Sequence, residues 1–213
     1  MIRASDPELL VLHAVRILGT AGDVTVAARY GLDAGIVREL LLDLEAFGLV
    51  TWSEFAGVGG WSLTARGRAD DERRLAAEVA ADPTGNTAVV VGEALADFEP
   101  LNARLRQACT DWQLRPGDGA RLAVNDHRDL AWDARVLDDL GDAVAGVRPL
   151  LDRLAGVLAR FAGYDARLDD ALTAVRDGDG SRVAGLGAAS VHGVWMELHE
   201  DLLATAGVAR GGK

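Results

Sequence analysis

The chain has 213 residues, of which 49% are hydrophobic and 26% are charged, and its formal net charge is −11. This composition is typical of a globular protein, and the length allows two domains. The acidic excess disfavours long-range attraction to nucleic acid and to anionic membranes. Cys109 is the only cysteine, so an internal disulfide is impossible, and no apolar run approaches the roughly 20 residues of a membrane span. We therefore expect a cytoplasmic protein.

Three helices are predicted in the first 50 residues. Asp6 and Pro7 begin the first helix, which ends at Gly19. Gly31 ends the second helix, because glycine readily adopts the left-handed conformation of a tight turn, and Asp33 caps the third. The third helix carries a stripe at the spacing of a buried face, formed by Val37, Leu40, Leu41 and Leu44. This pattern predicts a helix-turn-helix.

A β-hairpin and a fourth helix follow in the sequence. The β-branched and aromatic residues Val50, Trp52 and Phe55 indicate a strand, and WSLT indicates a second one. Between them, residues 56–60 (AGVGG) form a predicted glycine-rich tip, and helical periodicity resumes in ARGRADDERRLAAEVAA. The order of three helices, two strands and a helix is that of a winged helix, with the tip as the wing.

The segment AARYGLDAGIVRELLLDLEAFGLVTWSEFAGVGGWSLTARGR is similar to the winged-helix domains of bacterial one-component transcription regulators, especially the MarR and PadR types. In those domains the second wing strand is also followed by an "LT..GR" turn, which here is Leu63, Thr64, Gly67 and Arg68. The segment VREL near Leu40 is similar to GntR-type recognition helices. The resemblance covers about the first third of the chain and implies operator DNA binding by a homodimer.

The helix-turn-helix pattern selects the residues that would contact DNA. Of the outward positions on the third helix, Arg38 is the one that can make a bidentate contact with guanine. Phosphate contacts would come from Arg3, Arg29, Arg66 and Arg68. The outward positions are Ala34, Gly35, Arg38, Glu39 and Leu42.

The same face leaves an alternative open. Glu39 can accept a hydrogen bond from cytosine, but Glu39 and Asp43 would repel phosphate. The predicted wing has no Lys or Arg between Glu54 and Thr64, although a wing normally contacts the phosphate backbone or the minor groove. The alternative is a winged helix that binds a protein and does not bind DNA.

The rest of the chain is predicted to be helical. Residues 82–85 interrupt the periodicity and divide the chain into a winged-helix domain with its linking helix, 1–82, and an all-helical effector or dimerisation domain, 83–213. Pro100 indicates a kink or a restart, residues 113–129 are irregular, and Gly146 and Pro149 favour two helices over 129–162. Helices over 164–176 and 188–206 complete an antiparallel bundle of about five helices, which loosely resembles the effector domains of GntR-type regulators.

Aromatic, histidine and asparagine side chains in this half form a candidate small-molecule pocket. His192, Trp195 and His199 share one face of the last helix. Core packing or helix capping is the alternative role for these side chains. His192 and His199 are two turns apart, roughly 10 Å, which is too far for joint chelation of one metal ion. The candidate ligand-binding residues are Asn102, Trp112, Asn125, His127, Trp132, His192, Trp195 and His199.

The sequence favours a regulator over an enzyme. It contains no glycine-rich phosphate loop followed by Lys and no serine in a nucleophile elbow, so we assign no catalytic residue, metal ligand or cofactor. The resulting prediction is a cytoplasmic, homodimeric transcription regulator that binds DNA through a winged helix, with a helical domain that dimerises or senses a small molecule. The alternative is a non-catalytic protein-interaction adaptor.

Overall fold

A computed structural model describes residues 2–55, 57–117, 122–185 and 189–208. These residues are mainly helical, with two short β-hairpins. The helices are α1 Pro7–Leu18, α2 Asp23–Tyr30, α3 Ala34–Ala46, α4 Ala65–Ala80, α5 Asn86–Gln113, α6 Leu130–Ala155, α7 Tyr164–Arg176, α8 Ser181–Ala184 and α9 Val191–Thr205, and Ala159–Phe161 form a 3₁₀ turn. The strands are β1 Val50–Phe55, β2 Val58–Leu63, β3 Leu114–Pro116 and β4 Leu122–Val124.

The ends of the first three helices are those that the sequence predicts. The Asp6 carboxylate accepts hydrogen bonds from the backbone N–H groups of Glu8 and Leu9, which caps α1. Gly31 ends α2 in the left-handed region with φ of 65°. The Asp33 side chain caps α3 by accepting from the Ile36 N–H at 3.0 Å. Local capping chemistry therefore fixes both ends of the α2–α3 turn.

The hairpin between α3 and α4 has a shorter tip than the sequence predicts. β2 begins at Val58, so Gly59 and Gly60 belong to the strand, while Ala56 lies outside the described residues. A Cβ at Gly59 would lie 2.5 Å from Cζ2 of Trp52, so only glycine leaves room for this indole. The glycines thus allow an aromatic ring to pack against the strand backbone.

The "LT..GR" turn joins the hairpin to α4. Thr64 caps α4 by accepting from the Gly67 N–H at 2.9 Å, and its hydroxyl donates to the Gly48 carbonyl at 2.7 Å. A Cβ at Gly67 would lie 1.8 Å from the carbonyl oxygen of Leu49. The threonine and the glycine therefore have a packing role in this turn.

The second half departs from the predicted elements in three places. α5 runs through Pro100 without interruption, and α6 is a single helix that contains Pro149, so the prediction of two helices over 129–162 is wrong. Val147, Leu150 and Leu151 are all buried around Pro149, and this packing outweighs the cost of the proline. Residues predicted to be irregular include the antiparallel strands β3 and β4, so the expectation of an all-helical second domain is also wrong.

Contacts divide the chain into two compact units. Unit 1 comprises Met1–Gly92, Ala155–Arg160 and Glu197–Lys213, and unit 2 comprises Glu93–Leu154 and Phe161–Met196. The single sequence-based boundary at 82/83 differs from this division, because two later segments pack with the N-terminal residues. Within unit 1, α1, α2, α3 and the hairpin share a hydrophobic core that contains Leu12, Val26, Leu41, Leu44 and Trp61.

Unit 2 has its own buried apolar residues on α5, α6, α7 and the first part of α9. Phe98 stacks on Trp195 with ring centroids 4.9 Å apart, and the Trp195 indole donates to Asn102. Leu140, Val144 and other residues of α6 are fully or almost fully buried. Of the helices in the described ranges, none is both long and apolar enough to cross a membrane.

Candidate functional site

The outward residues of α3 are exposed, but Arg38, the one basic residue among them, is paired with an acidic residue. Ala34, Gly35, Glu39 and Leu42 are all exposed. The Arg38 guanidinium lies 2.7 Å from Oδ2 of Asp23. The other oxygen of Asp23 accepts from the Trp61 indole N–H at 2.6 Å.

Electrostatics favour the charged form of Asp23 in its pair with Arg38. Burial alone would raise the pKa of Asp23, but hydrogen bonds from Trp61 and Arg38, together with the positive charge of Arg38, lower it below its usual value. The carboxylate therefore stays charged and holds the guanidinium of Arg38 at one edge of α3.

The four predicted phosphate contacts are placed very differently. Arg29 is buried, and its Nε lies 3.7 Å from Oε2 of Glu197, so the prediction that it reaches a phosphate is wrong. Arg3 donates to the backbone carbonyls of Glu78 and Ala81. Arg68 is half exposed and lies 3.2 Å from Glu200, while Arg66 is exposed on the first turn of α4.

Large apolar side chains are exposed on α3 and on the adjoining hairpin of unit 1. We define the α3–β1 face as Leu42 and Trp52, which line one depression, together with the exposed acidic residues Glu39, Asp43, Glu45 and Glu54. Leu42 is 48% exposed and Trp52 is 43% exposed, although large apolar residues are usually well buried. Residues 33–63 contain five acidic residues and one basic residue, Arg38. The face is therefore both apolar and acidic.

A depression of about 440 Å³ lies in this face, between α3 and the hairpin. It is lined by Leu42, Trp52 and Trp61, with Arg38 and Glu45 also contributing. The two indoles meet edge to face with centroids 5.2 Å apart, and Glu45 accepts from the Trp52 N–H at 3.2 Å. These contacts, with the Trp61–Asp23 hydrogen bond, give the depression a preformed aromatic wall.

Unit 1 also contains a buried group of charged side chains that the sequence did not predict. We call it the His13 cluster: His13, Arg16, Asp71, Arg160 and Asp201. Nδ1 of His13 lies 3.2 Å from Asp71, and its Nε2 lies 3.0 Å from Asp201, with all three side chains fully buried. Arg16 donates to Asp71 at 3.1 Å, and Arg160 forms an ion pair with Asp201. The cluster joins α1, α4, the 155–160 segment and the end of α9 within unit 1.

Electrostatics favour the charged form of each member of this cluster. Burial alone would lower the pKa of His13, but the negative charges of Asp71 and Asp201 and hydrogen bonds to them raise it above its usual value. Burial would raise the pKa of Asp201, but the positive charges of Arg160 and His13 lower it well below the usual range. A polar pair, His13 and Arg16, within the apolar stripe of α1 was the sequence signal for this cluster.

In unit 2, three of the predicted ligand-binding residues come together. Trp112, Asn125 and His127 line a depression at the end of α5, and the Trp112 and His127 rings lie 4.4 Å apart. Trp132 contacts the residue before Trp112, because its indole N–H donates to the Asp111 carbonyl at 2.8 Å. Trp132 does not line the depression.

The other four predicted residues are placed elsewhere. Asn102 and Trp195 form a buried hydrogen-bonded pair, which is the packing role left open by the sequence. His192 is half-buried on α9, and burial together with the positive charge of Arg106 lowers its pKa. His199 belongs to the part of α9 that lies in unit 1. The last helix therefore does not supply a histidine pair to the depression in unit 2.

Across the described ranges, no group of three or more His, Cys, Asp or Glu side chains is arranged to hold a metal ion. Burial raises the pKa of the Cys109 thiol to about 11, which disfavours a reactive thiolate. No protein-family model, curated protein or solved structure matches this chain.

Proposed function

We propose that the chain is a non-catalytic protein-interaction adaptor whose winged-helix unit binds a protein through the α3–β1 face. The partner presents apolar side chains flanked by Lys or Arg. The observation that carries this proposal is the combination of the exposed side chains Trp52 and Leu42, which line one depression, with a strongly acidic surround. Aromatic residues in a preformed depression are typical of the energetic centre of protein interfaces.

The winged-helix fold is itself part of the proposal. Its support is the order of three helices, a two-stranded hairpin and a fourth helix, together with the turn formed by Thr64 and Gly67. In such a fold, α3 is the element that enters the DNA major groove. Here α3 offers a guanidinium that is already paired, and acidic side chains that repel phosphate.

The distribution of charge favours a protein partner over DNA. Affinity for duplex DNA depends on neutralising several phosphates with Lys or Arg. Arg29 is buried, and Arg3 and Arg38 are engaged within unit 1. A basic protein segment instead meets complementary charge at Glu39, Asp43 and neighbouring acidic residues, which increases the association rate and disfavours partners of the wrong charge.

Selection from a random peptide display library tests the proposal. We expect wild-type protein to enrich peptides that contain apolar residues next to Lys or Arg, and Trp52→Ala to lose most of the binding to them. Val89→Ala provides a matched control, because Val89 is exposed and lies on α5 outside the face. Enriched peptides that bind Trp52→Ala as tightly as wild type, or enrichment of acidic peptides, would contradict the proposal.

A DNA-binding transcription regulator remains the second candidate function. Arg66 on the first turn of α4 favours it, because this residue is exposed and free to contact a phosphate. A retardation titration at low salt with the DNA upstream of its own coding sequence distinguishes the two candidates. The adaptor proposal predicts no retardation, whereas retardation that weakens in Arg38→Ala would establish direct readout by α3.

A further inference from the structure

A depression of about 340 Å³ lies within unit 2, where the end of α5 meets β4 and the residues around α8. Its walls include Trp112, His127, Gly180 and Gly185. The volume falls within the range of sites that bind small molecules. This depression is independent of the α3–β1 face and of the function proposed for it.

Hydrogen bonds around Asn125 fix the orientation of the His127 ring. The two amide hydrogens of Asn125 are donated to the Trp112 carbonyl at 3.1 Å and to Oδ1 of Asp133 at 2.8 Å. Nδ1 of His127 lies 3.1 Å from Oδ2 of Asp133 and, with the amide hydrogens already used, is the donor in that pair. Neutral His127 therefore carries its free lone pair on Nε2.

Nε2 is available to a ligand. It has no hydrogen-bond partner within the described ranges, and the side chain of His127 is 43% exposed. The backbone of His127 has a φ of 55°, which is uncommon for a residue with a side chain and occurs here at the rim of the depression. Asn125 and Asp133 thus act as positioning residues for a single hydrogen-bond acceptor.

The wall that Trp112 forms beside this acceptor is flat and apolar, while Gln113 adds a polar side chain to the lining. The indole of Trp112 lies against the His127 ring, with 42° between the planes. A Cβ at Gly180 would lie 3.0 Å from Cζ2 of Trp112, so the absence of a side chain keeps the edge of the indole accessible. Among the described residues lining the depression there is no Arg, Lys, Asp or Glu, and the site therefore favours an uncharged ligand.

We propose that this depression binds a small, uncharged, planar aromatic molecule that donates one hydrogen bond to Nε2 of His127. The aromatic body packs against Trp112, and the donor pairs with a ring nitrogen that Asp133 has already oriented. An anion lacks a cationic partner here, and an aliphatic molecule would not use the flat wall.

Indole and 1-methylindole are matched probes, because methylation removes the N–H donor and leaves the ring. Affinities are measured by NMR titration of the histidine Cε1–H resonances of the full chain. We expect indole to bind about fivefold to tenfold more tightly than 1-methylindole, which is the effect of one hydrogen bond. His127→Phe keeps an aromatic ring and is expected to bind the two probes equally. His192→Phe is the matched control, because His192 does not line the depression.

Absence of saturable binding by both probes to the wild type would overturn the proposal. An unchanged preference for indole in His127→Phe would also overturn it. If His127→Phe binds neither probe, the Asp133→Asn variant tests whether the oriented imidazole accepts the hydrogen bond, because it keeps the imidazole and removes the carboxylate that orients it. A reduced preference for indole in Asp133→Asn supports the proposal, and an unchanged preference contradicts it.

Discussion

One buried cluster and one exposed face of unit 1 depart from the usual distribution of side chains, in which charged groups are exposed and large apolar groups are buried. Part of the interior holds the His13 cluster, in which the side chains of His13, Asp71, Arg160 and Asp201 are fully buried. The α3–β1 face exposes Trp52 and Leu42. Buried charges persist because each has a partner of opposite sign, and exposed aromatic residues have no such compensation within the protein. The comparison supports our proposals that the cluster maintains the fold and that the face binds a protein partner.

Breaking the buried cluster is expected to have the largest effect. Asp201→Asn leaves Arg160 and His13 without their shared carboxylate, and we expect the free energy of unfolding to fall by about 3 to 5 kcal/mol. Urea denaturation followed by circular dichroism measures this change. Asp43→Asn on the α3–β1 face is the matched control, with an expected change below about 0.5 kcal/mol. Equal effects of the two substitutions would mean that the cluster does not stabilise unit 1.

The two tryptophans that are paired across the hairpin allow the buried core and the exposed face to be compared at neighbouring positions. Trp61 is buried and Trp52 is half exposed, although they are direct partners in the strand register. We expect Trp61→Ala to lower the free energy of unfolding by about 3 to 5 kcal/mol and Trp52→Ala to lower it by about 1 kcal/mol. Thermal and urea denaturation provide the measurement. A large loss in Trp52→Ala would assign this indole to the core instead of to a binding surface.

The pH dependence of stability tests the charge on His13. Its pKa is raised in the folded protein, so the ion pairs of His13 contribute fully below the unfolded value of 6.5. This contribution is lost as the pH rises through the folded pKa. The lowered pKa values of Asp71 and Asp201 act at the acidic end, where stability is lost as the pH falls through them.

We therefore expect denaturation midpoints of the wild type to decline on the alkaline side of the ordinary histidine range. His13→Gln is expected to be less stable and to lack most of this decline. His192→Gln is the control, because its pKa is lowered and it lies outside the cluster. A decline of the same size in His13→Gln would show that another group titrates there.

The smallest effect is expected at Arg38. Its side chain is 66% exposed, and its pairing with Asp23 is solvated, so Arg38→Ala is expected to lower the free energy of unfolding by at most about 1 kcal/mol. The adaptor proposal also predicts that this substitution leaves the affinity for duplex DNA unchanged. Calorimetric titration and denaturation test both expectations, and a specific loss of DNA affinity would favour the second candidate function.

Local signals in the sequence predicted the first 80 residues well, because capping and periodicity decide those helices. Asp6, Gly31 and Asp33 have the predicted roles at helix ends. The same local rules predicted a break near Pro149, where packing on both sides keeps α6 continuous. These local rules do not predict contacts between segments that are distant in the chain. The contacts that place the 155–160 segment in unit 1 are an example.

The candidate sites show the same limit. Exposed positions on α3 follow from the helical period, so Arg38, Glu39 and Leu42 were identified from sequence. The burial of Arg29 depends on Glu197, which is distant in the chain, and no local pattern contains that information. In unit 2, Trp112 and His127 were both predicted as ligand-binding residues from their side-chain types, whereas Asp133 was missed because its role requires knowledge of the fold.

The most direct test of the central claim is the affinity of one selected basic peptide for the double variant Glu39→Lys with Asp43→Lys. Both positions are exposed on α3, so the substitutions neutralise the acidic excess of the face and leave its apolar residues in place. The adaptor proposal predicts that binding weakens by roughly tenfold or more at low salt and that the difference shrinks as salt is added. An unchanged affinity at low salt would contradict the claim that this acidic, apolar face binds the partner.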